Sequence, residues 1–439
     1  MLSDSGCVRH VKWLVLVAAL ALPAAAQEAA KGQVSAGDTA WVLCSAALVL
    51  FMTPGLALFY AGMVRRKNVL GTMLHSFIAM ALISVLWVVI GFSLSFAEGG
   101  PFLGGLKYMG CCDAGFAGAA WPDTHIPGMA LMIYQAMFAI ITPALISGAV
   151  AERMKFGAYV LFIGLWSLLV YCPIAHWVWG PDGWLNKMHA LDFAGGNVVH
   201  VSSGFSALVA CIMLGARHKD AEDIPAPHNL TMTVLGAGIL WFGWFGFNAG
   251  SALGANTLAC YAFTNTNTAA ATAMMAWMLI EYMRHGRCTA LGGASGLVAG
   301  LVGITPAAGF VTPMASIAIG AIVGVLCCYA VELKNHYGYD DALDVVGVHG
   351  VGGATGAFLT GVFAWKMINP DGGQDGLLHG NPGQVGIQLL STVVTVIYAM
   401  VVTFIILKVV GAVTPLKLNA EEESDGMDLV LHDEVGYRL

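Results

Sequence analysis

Two histidines in this chain are spaced as if to share a proton. Asp192 precedes His200 by eight residues and Gly204 follows four later, while Asp341 precedes His349 by eight and Gly353 follows four later. The two sets lie 149 residues apart, and glycines surround both: Gly195 and Gly196 in one, Gly347, Gly350 and Gly352 in the other. Neutral imidazole both donates and accepts, so adjacent rings can pass a proton or hydrogen-bond a small polar guest. A satisfied core histidine is the ordinary reading of either ring alone, and the matched positions favour a functional pair. Each aspartate also has a structural role open to it, capping a helix by accepting backbone N–H bonds. Asp344 shares that candidacy with Asp341.

The elements that carry these residues are apolar. Of the 439 residues 58% are hydrophobic and only 10% charged, against about 25% charged in soluble domains. Too few polar side chains remain to coat a water-exposed surface, and 55 glycines suit membrane helices packing through small residues. The net charge of −7 leaves no basic stripe to meet phosphates, which argues against nucleic acid. Arg9 and Lys12 precede an apolar stretch from Trp13 to Leu22, then Pro23 and Ala24-Ala25-Ala26. This is a signal-peptide pattern, cleaved after Ala26, so residues 1–26 leave and the mature N-terminus starts outside.

Apolar runs near the length needed to cross about 30 Å of hydrocarbon fall at 39–63, 70–97, 128–151, 157–180, 195–217, 229–247, 255–281, 289–305, 311–333, 344–365 and 385–410. With the N-terminus outside, thirteen basic residues lie in inner segments and four in outer ones, a positive-inside bias that eleven spans satisfy. The fold expected is therefore an all-α membrane protein, with a transmembrane domain at 27–410 and an acidic cytoplasmic tail at 411–439. In the tail Glu421, Glu422, Glu423, Asp425 and Asp428 make either a solvated end or a docking element. The two Asp–His sets open the fifth and tenth helices. A five-helix unit repeated must be inverted, with an eleventh helix added, and inverted repeats place a site near the midplane. If each helix starts near its aspartate, each histidine sits about 12 Å inside, one from each face.

At the outer ends, Trp179 closes the fourth helix, Phe247 and Ser251 close the sixth, and Phe138 lies in the third. An indole face attracts a compact cation and a serine hydroxyl accepts a hydrogen bond from one. The interfacial aromatic belt explains a single tryptophan equally well. Cys111 and Cys112 fall in an outer loop, where a bridge between subunits and two idle thiols both fit.

Several of these stretches resemble the ammonium transporter (Amt/Mep/Rh) family, of the bacterial Amt type. They are Pro54 to Tyr60, Pro173-Ile174-Ala175-His176-Trp177-Val178-Trp179-Gly180, Asp192 to His200, Gly243 to Ser251, and Asp344 to Gly350. The resemblance runs in order from about Thr39 to the C-terminus. It implies a homotrimer in the bacterial plasma membrane with one pore per subunit. Trp179, Phe138 and Ser251 would recruit ammonium at the outer mouth, supported by Asp192, and Phe138 and Phe247 would stack as the gate below. His200 and His349 would line a narrow hydrophobic pore. Tyr134, one turn from Phe138, stands where some relatives carry phenylalanine. Carrying a bare cation through a dry pore is costly, so deprotonation at the mouth, passage of ammonia and a proton relay along the histidines form the expected scheme. Gly426 to Leu429 and His432 resemble the family's C-terminal segment, implying a PII-type signal protein at the cytoplasmic face. No cofactor or metal is expected, since two histidines fall short of a zinc set, and no H-E-x-x-H motif or nucleophile elbow suggests an enzyme. A sodium-coupled carrier needs broken helices, whereas the fifth and tenth read as continuous. An ammonium sensor on the same scaffold is the alternative.

Overall fold

In hydrocarbon the backbone has only itself to bond to, and a helix satisfies its N–H and C=O groups within one segment. The computed structural model describes residues 33–218 and 227–438, and the expected signal peptide at 1–26 lies outside them. Among the described residues the chain is helical, with no β-strand. The long helices are α1 (Ala36–Met63), α2 (69–96), α3 (Gly128–Ile146), α4 (156–179), α5 (Gly196–Leu214), α6 (Leu230–Gly250), α7 (Thr257–His285), α8 (Ala290–Ile304), α9 (Pro313–Tyr337), α10 (Val346–Phe363) and α11 (Gly383–Val413). Nine of these described helices are long and apolar enough to cross a membrane; α8, at 15 residues, is apolar but shorter, and α7 is not among the nine. The molecule is an all-α, multi-pass membrane protein.

Local sequence explains where the helices start. Ser35, Asn229, Asn256, Thr289 and Thr312 each accept a backbone N–H in the first turn of the helix that follows, which satisfies donors that have no intrahelical partner. Gly286 and Gly338, at φ 71° and 73°, end α7 and α9 in the left-handed region that glycine enters without penalty. The tail follows α11 as two short helices, Ala420–Asp425 and Met427–His432. The last membrane helix thus ends at Val413, three residues beyond the expected 410.

Close helix contacts depend on missing side chains. A Cβ on Gly236 of α6 would lie 2.3 Å from the Phe59 backbone nitrogen of α1, so these helices meet backbone to backbone. The crossing of α5 and α10 is as tight: a Cβ on Gly204 would lie 2.2 Å from the Gly350 nitrogen, and one on Gly353 2.8 Å from the His200 Cβ. Both helices open with wide turns, at Gly196–Val201 and Val346–Val351. Helical backbone therefore begins at Gly196, four residues after Asp192 and not at it, and the helical path to His200 is half the length expected.

At the face that carries the tail, buried Glu152 accepts from the Arg65 backbone N–H and Nε, from Asn68 and from Arg217 at 2.7–3.0 Å. Arg217 also grips Asp340 through Nε and Nη2 at 2.9 and 2.8 Å. Burial pushes the Glu152 carboxyl up, but Arg217 and Arg65 outweigh it and hold it below the usual range. The tail packs onto this face instead of trailing in solvent. Asp428 accepts the Leu70 and Gly71 N–H groups at 3.0 and 2.8 Å, and Glu422 pairs with Lys155 at 3.0 Å. Cys111 and Cys112 are both free thiols.

Candidate functional site

The crossing of α5 and α10 delivers the two histidines to one place. Nδ1 of His200 lies 3.3 Å from Nδ1 of His349, with ring centroids 5.3 Å apart. Both residues are buried, at 1% and 4% exposure. Two nitrogens at that distance need one proton between them, so one ring donates and the other accepts. His200 also lies nearly parallel to Trp244 and Phe247, at 5.5 and 6.1 Å. Its Nε2 is buried with no protein partner. The cavity beside the pair is apolar apart from the two imidazoles, lined by residues such as Leu56, Phe59, Trp244 and Val298. A second cavity on the tail side of His349 is lined by Tyr60, Ser295 and Asp344 among others. His349 borders both.

Away from the tail, the passage is stoppered. Phe138 and Phe247 stack at 4.2 Å with an interplanar angle of 28°, both fully buried. Trp179 meets Phe138 edge to face at 6.0 Å, and its indole N–H donates to the Asp192 carbonyl at 2.8 Å. Ser251 donates to the Phe247 carbonyl at 2.9 Å and lies 3.2 Å from the Tyr134 hydroxyl. That tyrosine hydroxyl also reaches the carbonyls of Gly246 and Phe247 at 2.9 and 2.8 Å. Tyr134 therefore braces the end of α6 beside Ser251. The structure brings Trp179, Phe138, Phe247, Ser251 and the histidines into one line of contacts.

The aspartates stand apart from the rings. Asp192 accepts the N–H groups of Gly195, Gly196, Asn197 and Val198 at 2.8, 2.5, 2.8 and 3.2 Å, so its carboxylate is a helix cap and it touches the mouth only through its carbonyl. Asp341 accepts Val346 N–H at 2.7 Å, while its other oxygen is buried without a partner. Asp344, at φ 63°, pairs with Lys334 at 2.5 Å. Among the described residues no three His, Cys, Asp or Glu side chains converge as metal ligands.

Sequence reasoning passed over Trp244 and Tyr60. Both stood inside motifs named above; the period of Trp244 with Phe247 on α6 was a signal for the first, while Tyr60 closes the stretch from Pro54 without a local sign of its place beside the cavity.

Comparison with known proteins identifies the family. The model of the Ammonium Transporter Family matches residues 40–437. An ammonium transporter of Bacillus subtilis is 51% identical over 403 residues, covering 92% of this chain and 98% of the relative. One of Aquifex aeolicus is 48% identical, covering 94% and 96%. The crystal structure of Saccharomyces cerevisiae Mep2 superposes with a TM-score of 0.83 at 38% identity, covering 89% of each chain. A sensor Amt protein gives 0.82 at 28% identity, covering 90% and 98%.

Proposed function

The chain belongs to the ammonium transporter family and carries ammonium across a membrane, and on that premise we propose how its own residues do so. Ammonium meets the Trp179 indole face and the Ser251 hydroxyl above the Phe138 ring. Dehydration there is offset by cation–π attraction and one or two hydrogen bonds. Asp192 contributes by fixing the helix start and the indole. The ion gives up a proton and neutral ammonia slips past the Phe138–Phe247 stack, because a charged guest in this apolar passage would bear a large desolvation cost.

The proton takes a separate path. It arrives at Nε2 of His200, whose Nδ1–H passes to Nδ1 of His349, and His349 releases its own Nε2–H into the cavity on the far side. Each ring returns to neutrality with its tautomer exchanged, so one proton crosses and net transport carries charge. The single observation behind this reading is the 3.3 Å contact between the two ring nitrogens beneath the phenyl stopper.

The Trp179 face is outside and the tail face cytoplasmic, as the distribution of basic residues favours. The same reading has eleven crossings, a cleaved segment 1–26, a mature domain at 27–410 and a bacterial plasma membrane location. The assembly is a homotrimer, and the packed tail at 411–439 offers a PII-type signal protein a surface at the pore exit.

The test is current measurement in reconstituted bilayers. Wild type gives ammonium-dependent current together with flux. Replacing His200 and His349 together by leucine removes the current by at least about tenfold and relaxes selectivity for ammonium. Flux without current in the wild type, or an unchanged double variant, excludes the relay. The absence of any flux would favour a sensor.

A further inference from the structure

Gln388 stands on α11, the helix left over once two five-helix units are counted, and no step above uses it. It is fully buried, and each polar position of its amide is taken. Oε1 accepts the Leu191 backbone N–H at 2.7 Å and an N–H of the Gln384 amide at 3.4 Å. Nε2 donates to the Leu191 carbonyl at 2.7 Å and to the Ala357 carbonyl at 3.1 Å. A side-chain amide offers two N–H bonds and two lone pairs, so the set is complete. Turning the amide over would set its nitrogen against the Leu191 N–H and its oxygen against two carbonyls. Its orientation is therefore fixed. Packing in an apolar bundle asks only for leucine or methionine, whereas a fully satisfied buried amide holds its partners in one arrangement.

Those partners lie at both pore helices. Leu191 immediately precedes Asp192, which caps α5 and whose carbonyl receives the Trp179 indole N–H at 2.8 Å. Ala357 lies on α10, eight residues after His349. Bonding both the N–H and the C=O of Leu191 fixes the two peptide units that flank it, as a paired strand would. On the other side of Asp192, Phe193 N–H is held by the Pro306 carbonyl at 3.1 Å. The same helix adds a second clamp one turn on, where Asn197 donates to Ser391 and accepts from Thr392, both at 3.0 Å. Gln384, Gln388, Ser391 and Thr392 share one buried stripe of α11, while Leu389, Leu390 and Val393 face outward. The other repeat is held differently: before Asp341, Asp340 is gripped by Arg153 and Arg217 at the tail face.

We propose that Gln388 is a positioning residue of the ammonium entry site: it sets Asp192 and, through the Asp192 carbonyl, the plane of the Trp179 indole. The eleventh helix thereby serves one half of the inverted repeat, at the end where ammonium is taken up. Without the amide, both Leu191 peptide groups lose a partner in an apolar surround. The Asp192 carbonyl can then turn away from the indole, and ammonium meets an aromatic face with no fixed plane. The proposal rests on the reading of Trp179 as an entry site.

Ammonium flux and indole NMR on the whole chain in lipid bilayers test it. Gln388→Met keeps the volume and removes the amide. Its half-saturating ammonium concentration is expected to rise about fivefold, the worth of one neutral hydrogen bond, with an unchanged maximal rate. The Trp179 indole N–H signal, identified by its absence from Trp179→Leu, is expected to shift. Thr403→Val is the matched control, since Thr403 of α11 bonds to Ser206 of α5 at 2.8 Å, deeper in the bundle; it is expected to move neither. In the double variant Gln388→Met/Trp179→Leu the two effects are expected not to add. A lowered maximal rate with unchanged half-saturation, a fixed indole signal in Gln388→Met, or an equal shift in Thr403→Val overturns the positioning role. The wild type gives a check that needs no variant to fold. Leu191 lies outside any helix, yet its N–H is expected to exchange with solvent as slowly as helix amides; rapid exchange overturns the clamp. If Trp179→Leu alone leaves half-saturation unchanged, the entry-site reading fails, while the indole signal still decides whether Gln388 holds Trp179.

Discussion

Asp192 and Asp341 occupy the same place before their histidines, yet the two helix openings are built differently. At the first, both carboxylate oxygens are used, by four backbone N–H groups of a glycine-rich turn. At the second, one oxygen accepts Val346 N–H and the other is buried without a partner. Asp344, in a left-handed conformation, is drawn instead to Lys334. Burial, reinforced by the charge of Asp344, pushes the Asp341 carboxyl up to about 6. One repeat thus has a satisfied cap and the other a strained, acid-sensitive one. Sequence spacing sets where a histidine falls along a helix, while the residues in between decide how firmly the helix is anchored.

The most severe way to break this comparison is Asp192→Ala. It orphans four N–H groups in a buried turn at about 1–3 kcal/mol each, so a loss of at least about 4 kcal/mol and no stable transporter are expected. Thermal unfolding in detergent reads this out, and a mild effect would erase the contrast. Next is Asp341→Asn, with the opposite sign. The folded protein binds the Asp341 proton more tightly than the unfolded chain does, so stability falls as pH rises from about 4 through about 6. By neutral pH the whole penalty is present, at most about 3 kcal/mol for a shift of roughly two units. Asparagine mimics the protonated acid. The variant is expected to be as stable as wild type or more so at pH 7.5, and to lose the decline between about pH 4 and about pH 6. Asp340, held at about 2 by Arg217 against its burial, keeps its contribution until far lower pH and does not blur that window. The smallest effect compares two glycines. Gly204→Ala puts a Cβ 2.2 Å from the Gly350 nitrogen and should cost about 2 kcal/mol, whereas Gly353→Ala, with its nearest atom the His200 Cβ at 2.8 Å, overlaps less and should cost about 1 kcal/mol. Equal losses would mean that the crossing yields alike on both sides.

Much of this was legible before any coordinates. The apolar runs, the paired Asp–His spacing and the aromatic ends of α4 and α6 are periodic or local signals, and each led to residues the fold brings together. The start of α5 was not, because Asp192 caps it across a turn and not from the adjoining position. Tyr134 was ambiguous in sequence because its hydroxyl matters only through carbonyls more than a hundred residues away. Gln388 drew no notice inside its apolar run, since its partners lie on the α5 lead-in and on α10, 197 and 31 residues distant. That the tail packs on its own chain was not legible, because its partners at Leu70, Gly71 and Lys155 lie hundreds of residues away.

The stacked phenyl rings matter for what they refuse. Potassium, abundant in every cell, has no proton to surrender, so it can never become the uncharged guest that such an oily stopper tolerates. Discrimination by acidity instead of diameter confines the charge that crosses to the proton an ammonium ion gives up, and leaves the potassium gradient untouched. The 4.2 Å separation of Phe138 and Phe247 is, in that sense, an insulator.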